Sequence, residues 1–353
     1  MEMDVLVISM QGIGNSLLAV PMIKALKECF KNVHITVLVQ KNGSEELLKN
    51  LDFIDEIIIY NKADSVYEKI HLILTLRNKK FGSILLTYPS SRKNVLLAKL
   101  IGANKIIGHT NDSGKNCYRS KCNCTNKIPV NENLHDLEQN FNLLKPLGIQ
   151  PPKFDTSIKI PLSKNAEENV DILLKKNNIT PSDIIIGIHP GSSDGFKEKR
   201  WQKEKFAKLI DMLILEMNAK AILFGGTNEI ELSKDIENLC TKKFISVIGQ
   251  LSLDETASLI KRCKLFISND TGLMHIATTV ETPVIAIFGP TDQKRTAPYG
   301  KGNLVIRKNL ECSPCYKFHI RKFKCKFNSV KCLNNISVEE VISACRNFIK
   351  KSG

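Results

Sequence analysis

The feature that most constrains the fold is an alternation of short apolar runs with longer helical patterns. In the first third of the chain the runs are DVLVIS, HITVLV, DEIIIY and SILLTY, and the helical segments between them are 16–30, 43–50 and 66–78. Strands that are separated by helices pair in parallel, and helices then cover both faces of the sheet. Such strands are apolar throughout, as these are, so the pattern predicts a parallel sheet.

A second alternation follows an irregular stretch at 109–160. Its runs are DIIIGI, AILFG, FISVIG, KLFIS and PVIAIFG, with helical segments at 203–217, 228–240, 252–263 and from about 272. Ser252 followed by Glu255 is a capping-box pattern that marks the start of one of these helices. We therefore predict a second domain of the same type.

The chain has 353 residues, which is more than a single hydrophobic core usually supports. We expect an α/β protein with two Rossmann-like domains, residues 1–160 and 161–335. The apolar spacing from Ser337 to about Lys350 predicts a final helix within 336–353, and we expect this helix to pack toward the first domain.

The formal charge of +15 favours an anionic partner. Nucleic acid finds little support, because the lysines are scattered and only 6% of the residues are aromatic. The anionic partners that remain are an acidic membrane surface and a phosphorylated small molecule.

Two further features of the sequence concern the cellular compartment of the protein. The sequence has no apolar run near ~20 residues, and its N-terminus lacks the features of a signal peptide. Most of the eleven cysteines lie in apolar segments, as reduced structural thiols do. We expect a cytoplasmic protein.

The loops that follow the strands of the second domain are the candidate site, since ligands bind at the carboxyl ends of parallel strands. Small and hydroxyl residues there would let backbone amides approach a phosphate, and helix N-termini would add a favourable dipole. Lys199 and Arg200 would supply positive charge to a diphosphate, and Glu229 and Asp270 would accept hydrogen bonds from sugar or ribose hydroxyls. The small and hydroxyl residues are Gly191, Ser192, Ser193, Thr271 and Gly272.

His275 lies one turn into the helix that follows SNDTG. A histidine at such a position is either packed into the structure or in contact with a ligand, and both interpretations stay open.

The first domain has the loop GIGNS, with Gly12, Gly14 and Asn15. It is neither a P-loop nor a dinucleotide fingerprint, because the lysine of the first and the third glycine of the second are missing. A backbone-lined loop that faces a cleft between the domains fits better. The sequence also lacks an Asp-x-Asp pair, so it offers no obvious carboxylate site for a divalent metal bound to a diphosphate.

Four cysteines form the pattern C-x2-C-x9-C-x6-C. They are Cys312, Cys315, Cys325 and Cys332. Thiolate quartets that start with CxxC often bind zinc or iron. A structural metal and plain structural thiols are both compatible with the spacing.

Several of these motifs together resemble glycosyltransferase family 9. They are VLVISMQGIGNSLLAVPMIKALK, IHPGSSDGFKEKRW, ISNDTGLMHIATTVETPVIAIFGPTD and the closing CSPC…CL..ISVEEV, and they span nearly the whole chain in the family's order. The resemblance implies the GT-B fold, with the acceptor on the N-terminal domain, the donor on the C-terminal domain and no required metal. It implies a heptosyltransferase that uses ADP-heptose and a lipopolysaccharide-core acceptor.

The resemblance also implies roles for single residues. Lys199 would neutralise the donor diphosphate and Glu229 would contact the nucleoside. The donor's sugar and phosphates would be held by Asp270, Thr271, Gly272 and His275. Some relatives that glycosylate protein serines carry an iron-binding cysteine finger, whereas the family has no general metal requirement.

One departure concerns catalysis. Many family members have an aspartate, proposed to deprotonate the acceptor hydroxyl, where this chain has Asn15. An amide cannot act as a general base near neutral pH. The proton would go to another carboxylate or to a phosphate of the acceptor, or the reaction would depend on stabilisation of the leaving group, or the protein would be catalytically weak.

The leading hypothesis is therefore an inverting, metal-independent transfer of a heptose or related sugar to an anionic saccharide or lipid-linked acceptor. The positive charge would favour association with the inner face of the cytoplasmic membrane. The alternatives are a protein heptosyltransferase, a sugar-nucleotide epimerase of the GT-B type, and a sugar-nucleotide-binding protein with little activity.

Overall fold

The computed structural model describes residues 3–110, 124–150, 155–192, 196–316 and 325–352. The chain divides into two compact units, Met1–Pro161 and Leu162–Gly353. Each unit contains one six-stranded sheet whose strands are all parallel. The predicted α/β class and the pair of parallel sheets are confirmed.

The first unit begins with the alternation expected from the sequence and continues beyond it. Its elements are β1 (Met3–Ser9), α1 (Ile13–Leu17), α2 (Val20–Cys29), β2 (Val33–Gln40), α3 (Ser44–Leu48), β3 (Glu56–Tyr60), α4 (Val66–Asn78), β4 (Ser83–Leu86), α5 (Arg92–Ile101), β5 (Lys105–Thr110), β6 (Asn126–Pro129) and α6 (Asp136–Asn142). The last four of these, from α5 onward, have no counterpart in the sequence prediction.

The first sheet has the strand order β3-β2-β1-β4-β5-β6. The central strand β1 pairs with β2 and β4, so that Val7 lies beside Val37 on one side and Leu85 on the other. On one face of this sheet, Leu76 of α4 and Ala98 of α5 belong to the buried core. Residues 5–8 of β1 are consecutive and all fully buried, so both faces of the sheet are covered, and this explains the continuous apolar character of the strands.

Pro21 divides the segment that was predicted as one helix at 16–30. The structure has two helices there, and Pro21 lies in the first turn of α2, after Ala19 as N-cap. Proline has no N–H to donate, and the first turn of a helix is the place where that donor has no intrahelical acceptor. The proline therefore lies at the start of a second helix.

Cys124 is disulfide-bonded, an exception to the reduced thiols expected from the sequence. The cysteines at 29, 240, 263, 312, 315, 325, 332 and 345 are free thiols.

The second unit repeats the alternation. Its elements are α7 (Lys164–Lys176), β7 (Ile185–His189), α8 (Lys203–Met217), β8 (Lys220–Leu223), α9 (Ile230–Leu239), β9 (Ile245–Ser246), α10 (Leu253–Lys261), β10 (Leu265–Asn269), α11 (Gly272–Thr279), β11 (Val284–Phe288), α12 (Gln293–Thr296), β12 (Leu304–Arg307), α13 (Lys331–Asn334) and α14 (Val338–Ser352). The capping box is confirmed at the start of α10, where Ser252 Oγ accepts from Glu255 N at 3.2 Å.

The second sheet has the strand order β12-β11-β10-β7-β8-β9. Since β7 lies between β10 and β8, the loops after these three strands begin side by side at the carboxyl edge of the sheet. The register places His189 beside Ser268, and Ile188 beside Leu223.

The final helix, α14, packs within the second unit. Val341, Ile342 and Cys345 are buried in the same core as the strands β10 and β11. Its apolar side contacts α8 and the sheet of its own unit, and the expected packing of this helix toward the first domain stays a prediction. An amphipathic pattern predicts that one side of a helix is buried, but the pattern does not identify the surface that covers it.

None of the helices in the described ranges has the length and apolar composition that a membrane span requires.

We predict that Ile342→Ala lowers the free energy of unfolding of the second unit by about 2–5 kcal/mol, because it removes fully buried methyl groups. Trp201, the chain's single tryptophan, is buried in this unit, so its fluorescence in urea reports the transition. Ile172→Ala, at an exposed position on α7, is the control and should change stability by less than about 0.5 kcal/mol. Equal losses in the two variants would contradict the packing of α14.

Candidate active site

Polar side chains meet at the carboxyl edge of the second sheet, where β10, β7 and β8 end. We call this group the edge cluster. Its members are His189, Ser192, Lys199, Arg200, Glu229, Asp270 and Thr271. Loops that are far apart in sequence contribute to it, as expected from the parallel topology.

Glu229 is the most enclosed carboxylate of the edge cluster, with 5% of its surface exposed. Its Oε2 accepts a hydrogen bond from Gly226 N at 3.0 Å and lies 3.2 Å from His189 Nε2. Burial acts to raise the pKa of Glu229, but the hydrogen bond with His189, the charge of His189 and the Gly226 amide together hold it below its ordinary value. The carboxylate is therefore ionised and its charge is compensated locally.

Two glycines make room for this carboxylate. A Cβ atom at Gly191 would lie 1.4 Å from Glu229 Oε1, and one at Gly225 would lie 2.6 Å from Oε2. The role expected for Gly191, which is to expose a backbone amide to a bound anion, stays a prediction. The structure shows a separate requirement for glycine here, since the space beside Gly191 is filled by the carboxylate of Glu229.

His189 connects Glu229 to the loop after β10. Its Nδ1 lies 2.9 Å from Thr271 Oγ1, and Thr271 Oγ1 lies 3.1 Å from Ser268 Oγ. Because a carboxylate only accepts hydrogen bonds, His189 Nε2 donates to Glu229. His189 was not predicted from the sequence. Its position as the last residue of β7, at the carboxyl edge of a parallel strand, was the available signal.

Asn269 fixes the loop that follows β7. Its Nδ2 donates to Pro190 O at 2.9 Å and to Gly191 O at 3.0 Å, and its Oδ1 accepts from Trp201 N at 3.0 Å. The side chain of Asn269 is fully buried, and this residue was also not predicted as part of the site. All three of its hydrogen bonds are to backbone atoms, so Asn269 ties the backbone of this loop to the end of β10.

Lys199 pairs with Asp270. Lys199 Nζ lies 3.0 Å from Asp270 Oδ2, and also 5.0 Å from the ring centroid of Tyr316 and 5.7 Å from that of Phe196. Both rings attract the ammonium group through their negative faces. A lysine has three N–H donors, so donors not used by Asp270 remain for an anion. Neither aromatic residue was predicted.

Arg200 binds the loop before it. Its Nε donates to Ser192 Oγ at 2.9 Å, its Nη2 donates to Ser192 O at 3.3 Å, and Nη2 lies 4.0 Å from Glu229 Oε1. Ser192 Oγ in turn donates to Phe196 O at 3.0 Å. The predicted cations are thus present at the edge, and each lies near an acidic partner.

The remaining predicted residues divide into three groups. Thr271 is the N-cap of α11, whose first residue is Gly272, and His275 is buried in the first turn. Ser193 lies outside the described residues. The acceptor-side residues belong to the first unit, where Gly12 is the N-cap of α1 and Asn15 is half-buried within it.

The four cysteines of the predicted metal site line one cavity of about 260 Å³, together with Pro290, Leu310, Glu311, Phe327, Val330 and Lys331. Burial and the neighbouring thiol of Cys315 raise the pKa of Cys332 to about 11. Within the part of the chain that the structure describes, no group of three or more His, Cys, Asp or Glu side chains has the arrangement of a metal site. The geometry therefore gives no support to a bound zinc or iron, which the cysteine spacing left open beside plain structural thiols.

Two units, each with a six-stranded parallel sheet, are the architecture of the GT-B fold, and the solved structures of family 9 described below share it. The model of glycosyltransferase family 9 (heptosyltransferase) matches residues 70–325, so the chain belongs to this family and is a glycosyltransferase.

Individual relatives match over the full length. The chain is 25% identical over 345 residues to the lipooligosaccharide heptosyltransferase 2 of Campylobacter jejuni subsp. jejuni serotype O:2, and the match covers 96% of each protein. A solved family 9 glycosyltransferase from Veillonella parvula has a TM-score of 0.83 at 23% identity, covering 99% of this chain and 98% of that one. The E. coli ADP-heptose lipopolysaccharide heptosyltransferase II has a TM-score of 0.77 at 20% identity, covering 99% of each chain.

We predict that Gly191→Ala destabilises the second unit chiefly by displacing the carboxylate of Glu229. A double-mutant cycle with Glu229→Ala tests this, since the cost of the added methyl group should fall by about 0.5–3 kcal/mol when the carboxylate is absent. The measurement is urea unfolding followed by Trp201 fluorescence. Additive losses would show that the alanine clashes with something other than Glu229.

Proposed function

We propose that this family 9 enzyme is an inverting heptosyltransferase that transfers heptose from ADP-heptose to a lipopolysaccharide-core acceptor. The observation that carries the proposal is the pairing of Lys199 with Asp270 beside the N-terminus of α11, at the carboxyl edge of the second sheet. The ADP-heptose in the name of the E. coli structural neighbour and the lipooligosaccharide in the name of the Campylobacter relative support this choice.

The donor diphosphate is proposed to bind between Lys199 and the first turn of α11. The free N–H donors of Lys199 and the backbone amides of Gly272 and its neighbours favour negative charge there. As the bond to the sugar breaks, the charge on the departing nucleotide grows, and preorganised donors of this kind typically stabilise it by several kcal/mol. Positive charge from Lys199 and Arg200 takes the part that a metal ion plays elsewhere, so the transfer is proposed to be metal-independent.

Glu229 is proposed to contact the nucleoside. Its Oε2 is occupied by Gly226 N and His189, and its Oε1 lies 4.0 Å from Arg200. Oε1 therefore keeps acceptor capacity for a ribose hydroxyl, as acidic residues after strands do in other nucleotide sites. Asp270, Thr271 and His275 are proposed to hold the donor's sugar and phosphates.

The acceptor is proposed to be an anionic, lipid-linked saccharide at the inner face of the cytoplasmic membrane. The net charge of +15 supports this, because an anionic leaflet and an anionic acceptor both attract a basic protein. Asn15, which replaces the aspartate of many family members, is proposed to position the acceptor hydroxyl by a hydrogen bond. The proton then goes to a base other than residue 15.

We predict that ADP-heptose raises the thermal stability of the parent protein and that Lys199→Ala abolishes the effect. A ligand at 100 times its Kd stabilises by ~2.7 kcal/mol, which a thermal shift resolves. Lys203→Ala is the matched control, because Lys203 also forms an ion pair in this unit, with Asp235, but lies outside the edge cluster. UDP-, GDP- and CMP-sugars serve as comparison ligands.

The result distinguishes the alternatives. Stabilisation by none of the nucleotide sugars, or equal loss in both lysine variants, contradicts the donor site. Conversion of the donor without any acceptor would identify an epimerase, and transfer to a peptide serine would identify a protein heptosyltransferase.

We further predict that Asn15→Asp raises kcat by about 100-fold near neutral pH without changing the KM for the donor. A carboxylate at this position supplies a general base, and such a group typically contributes about 10²- to 10⁴-fold. The measurement is steady-state transfer at saturating acceptor, with Asn15→Ala as the comparison. Donor binding without turnover in the parent, with activity only in Asn15→Asp, would instead identify a protein that has lost catalysis. Identical kcat values in the parent and both variants would remove Asn15 from the reacting centre.

A further inference from the structure

Helix α4 of the first unit exposes apolar side chains along most of its length. Of its thirteen residues only Leu76 is buried. Val66, Tyr67, Ile70 and Leu74 are 74%, 77%, 51% and 53% exposed. At 3.6 residues per turn these four side chains fall within an arc of about 100°. A surface helix of a soluble domain normally presents polar residues on that side.

Helix α5 continues the same surface. Leu96 and Leu100, one turn apart, are 59% and 45% exposed, while Ala98 is buried against the sheet. The two helices are neighbours, and Arg77 Nη1 of α4 lies 3.5 Å from Leu100 O of α5. We call this surface the outer face. It comprises the exposed side chains of Val66, Tyr67, Ile70, Leu74, Leu96 and Leu100.

The segment that carries the outer face is strongly basic. Residues 62–105 contain nine lysines and arginines and two acidic residues, a net charge of +7. Nearly half of the chain's excess charge of +15 therefore lies on one eighth of its length. On α5, Arg92, Lys93 and Lys99 are exposed beside Leu96 and Leu100, so cations flank the apolar side chains.

We propose that the outer face is a docking surface for a membrane rich in anionic phospholipid. The apolar side chains enter the boundary between headgroups and acyl chains, and the flanking cations remain at the phosphates, as in helices that lie in a membrane interface. This inference rests on the proposed lipid-linked acceptor, because such an acceptor is presented at a lipid surface.

Other occupants fit the outer face less well. A second copy of the chain would bring two copies of the segment 62–105, each of net charge +7, close together, and their repulsion opposes self-association. A nucleic acid would need rings on which its bases stack, and Tyr67 is the single aromatic residue among the six that form the face. An anionic lipid surface interacts with both features, because its acyl chains accept the aliphatic side chains and its phosphates attract the positive charge.

The test is flotation of the full-length protein with vesicles of phosphatidylcholine alone and of phosphatidylcholine mixed with phosphatidylglycerol. One variant carries Ile70→Ser, Leu74→Ser, Leu96→Ser and Leu100→Ser. A second carries Arg77→Gln, Lys93→Gln and Lys99→Gln. The control carries Ile172→Ser and Leu215→Ser, which lie at equally exposed positions in the second unit.

We expect the parent and the control to float with the anionic vesicles only. Each cation near an anionic surface contributes about a fivefold change in partitioning, so the variant that lacks three cations should bind about 100-fold more weakly. Added salt should also weaken the binding of the parent to the anionic vesicles. The serine variant should lose binding while its far-ultraviolet circular dichroism stays that of the parent.

Binding to neutral vesicles with equal strength, or anionic binding that both variants retain, would overturn the proposal. A change in sedimentation of the serine variant without vesicles, with unchanged flotation, would assign the face to self-association and overturn it too. A parallel assay of transfer to a deacylated, water-soluble acceptor separates this inference from the proposed function. If only the docking inference is wrong, soluble transfer persists while flotation fails in the parent. If the function is wrong, soluble transfer is absent whatever the flotation result.

Discussion

The buried carboxylate of Glu229 is the interaction on which the edge cluster depends. A charge at this depth is tolerated only when it is paired and hydrogen-bonded, and Glu229 has hydrogen bonds with His189 and Gly226 and an ion-pair contact with Arg200. Its position in turn requires glycine at residue 191, because a side chain there would occupy the same space. Asn269 then holds the backbone of that loop through Gly191 O. One charged group thus restricts two positions, Gly191 and Gly225, on the loops after β7 and β8.

The segment that contains Cys312 and Cys315 is connected to the edge cluster through the aromatic residue Tyr316. The backbone amides of Cys315 and Tyr316 both donate to Pro290 O, at 2.9 and 2.8 Å, and Tyr316 packs over Lys199. The segment therefore helps to place the ring against the cation that we propose for diphosphate binding. This contact gives the cysteine-lined loop a structural connection to the site that requires no metal.

Two kinds of feature were accessible from the sequence. The parallel sheets follow from apolar runs that alternate with helices, and the cations and acids of the edge follow from their positions after strands. His189, Asn269 and Tyr316 were missed. A single polar residue next to a strand has no periodicity to mark it, and its partners, which are 82 residues away for His189 and Thr271, become visible only when the strands are ordered.

The sequence by itself determined the fold class, the family and most of the charged residues of the site, because these depend on local pattern and on residue type at strand ends. The tertiary structure decided which charges pair, which core covers α14 and which side of α4 remains exposed. Pairing and burial depend on distances between segments remote in the chain, and a linear pattern does not contain those distances. The exposed apolar side of α4 shows this most clearly, because the apolar residues of this helix do not reveal in the sequence that only Leu76 is buried.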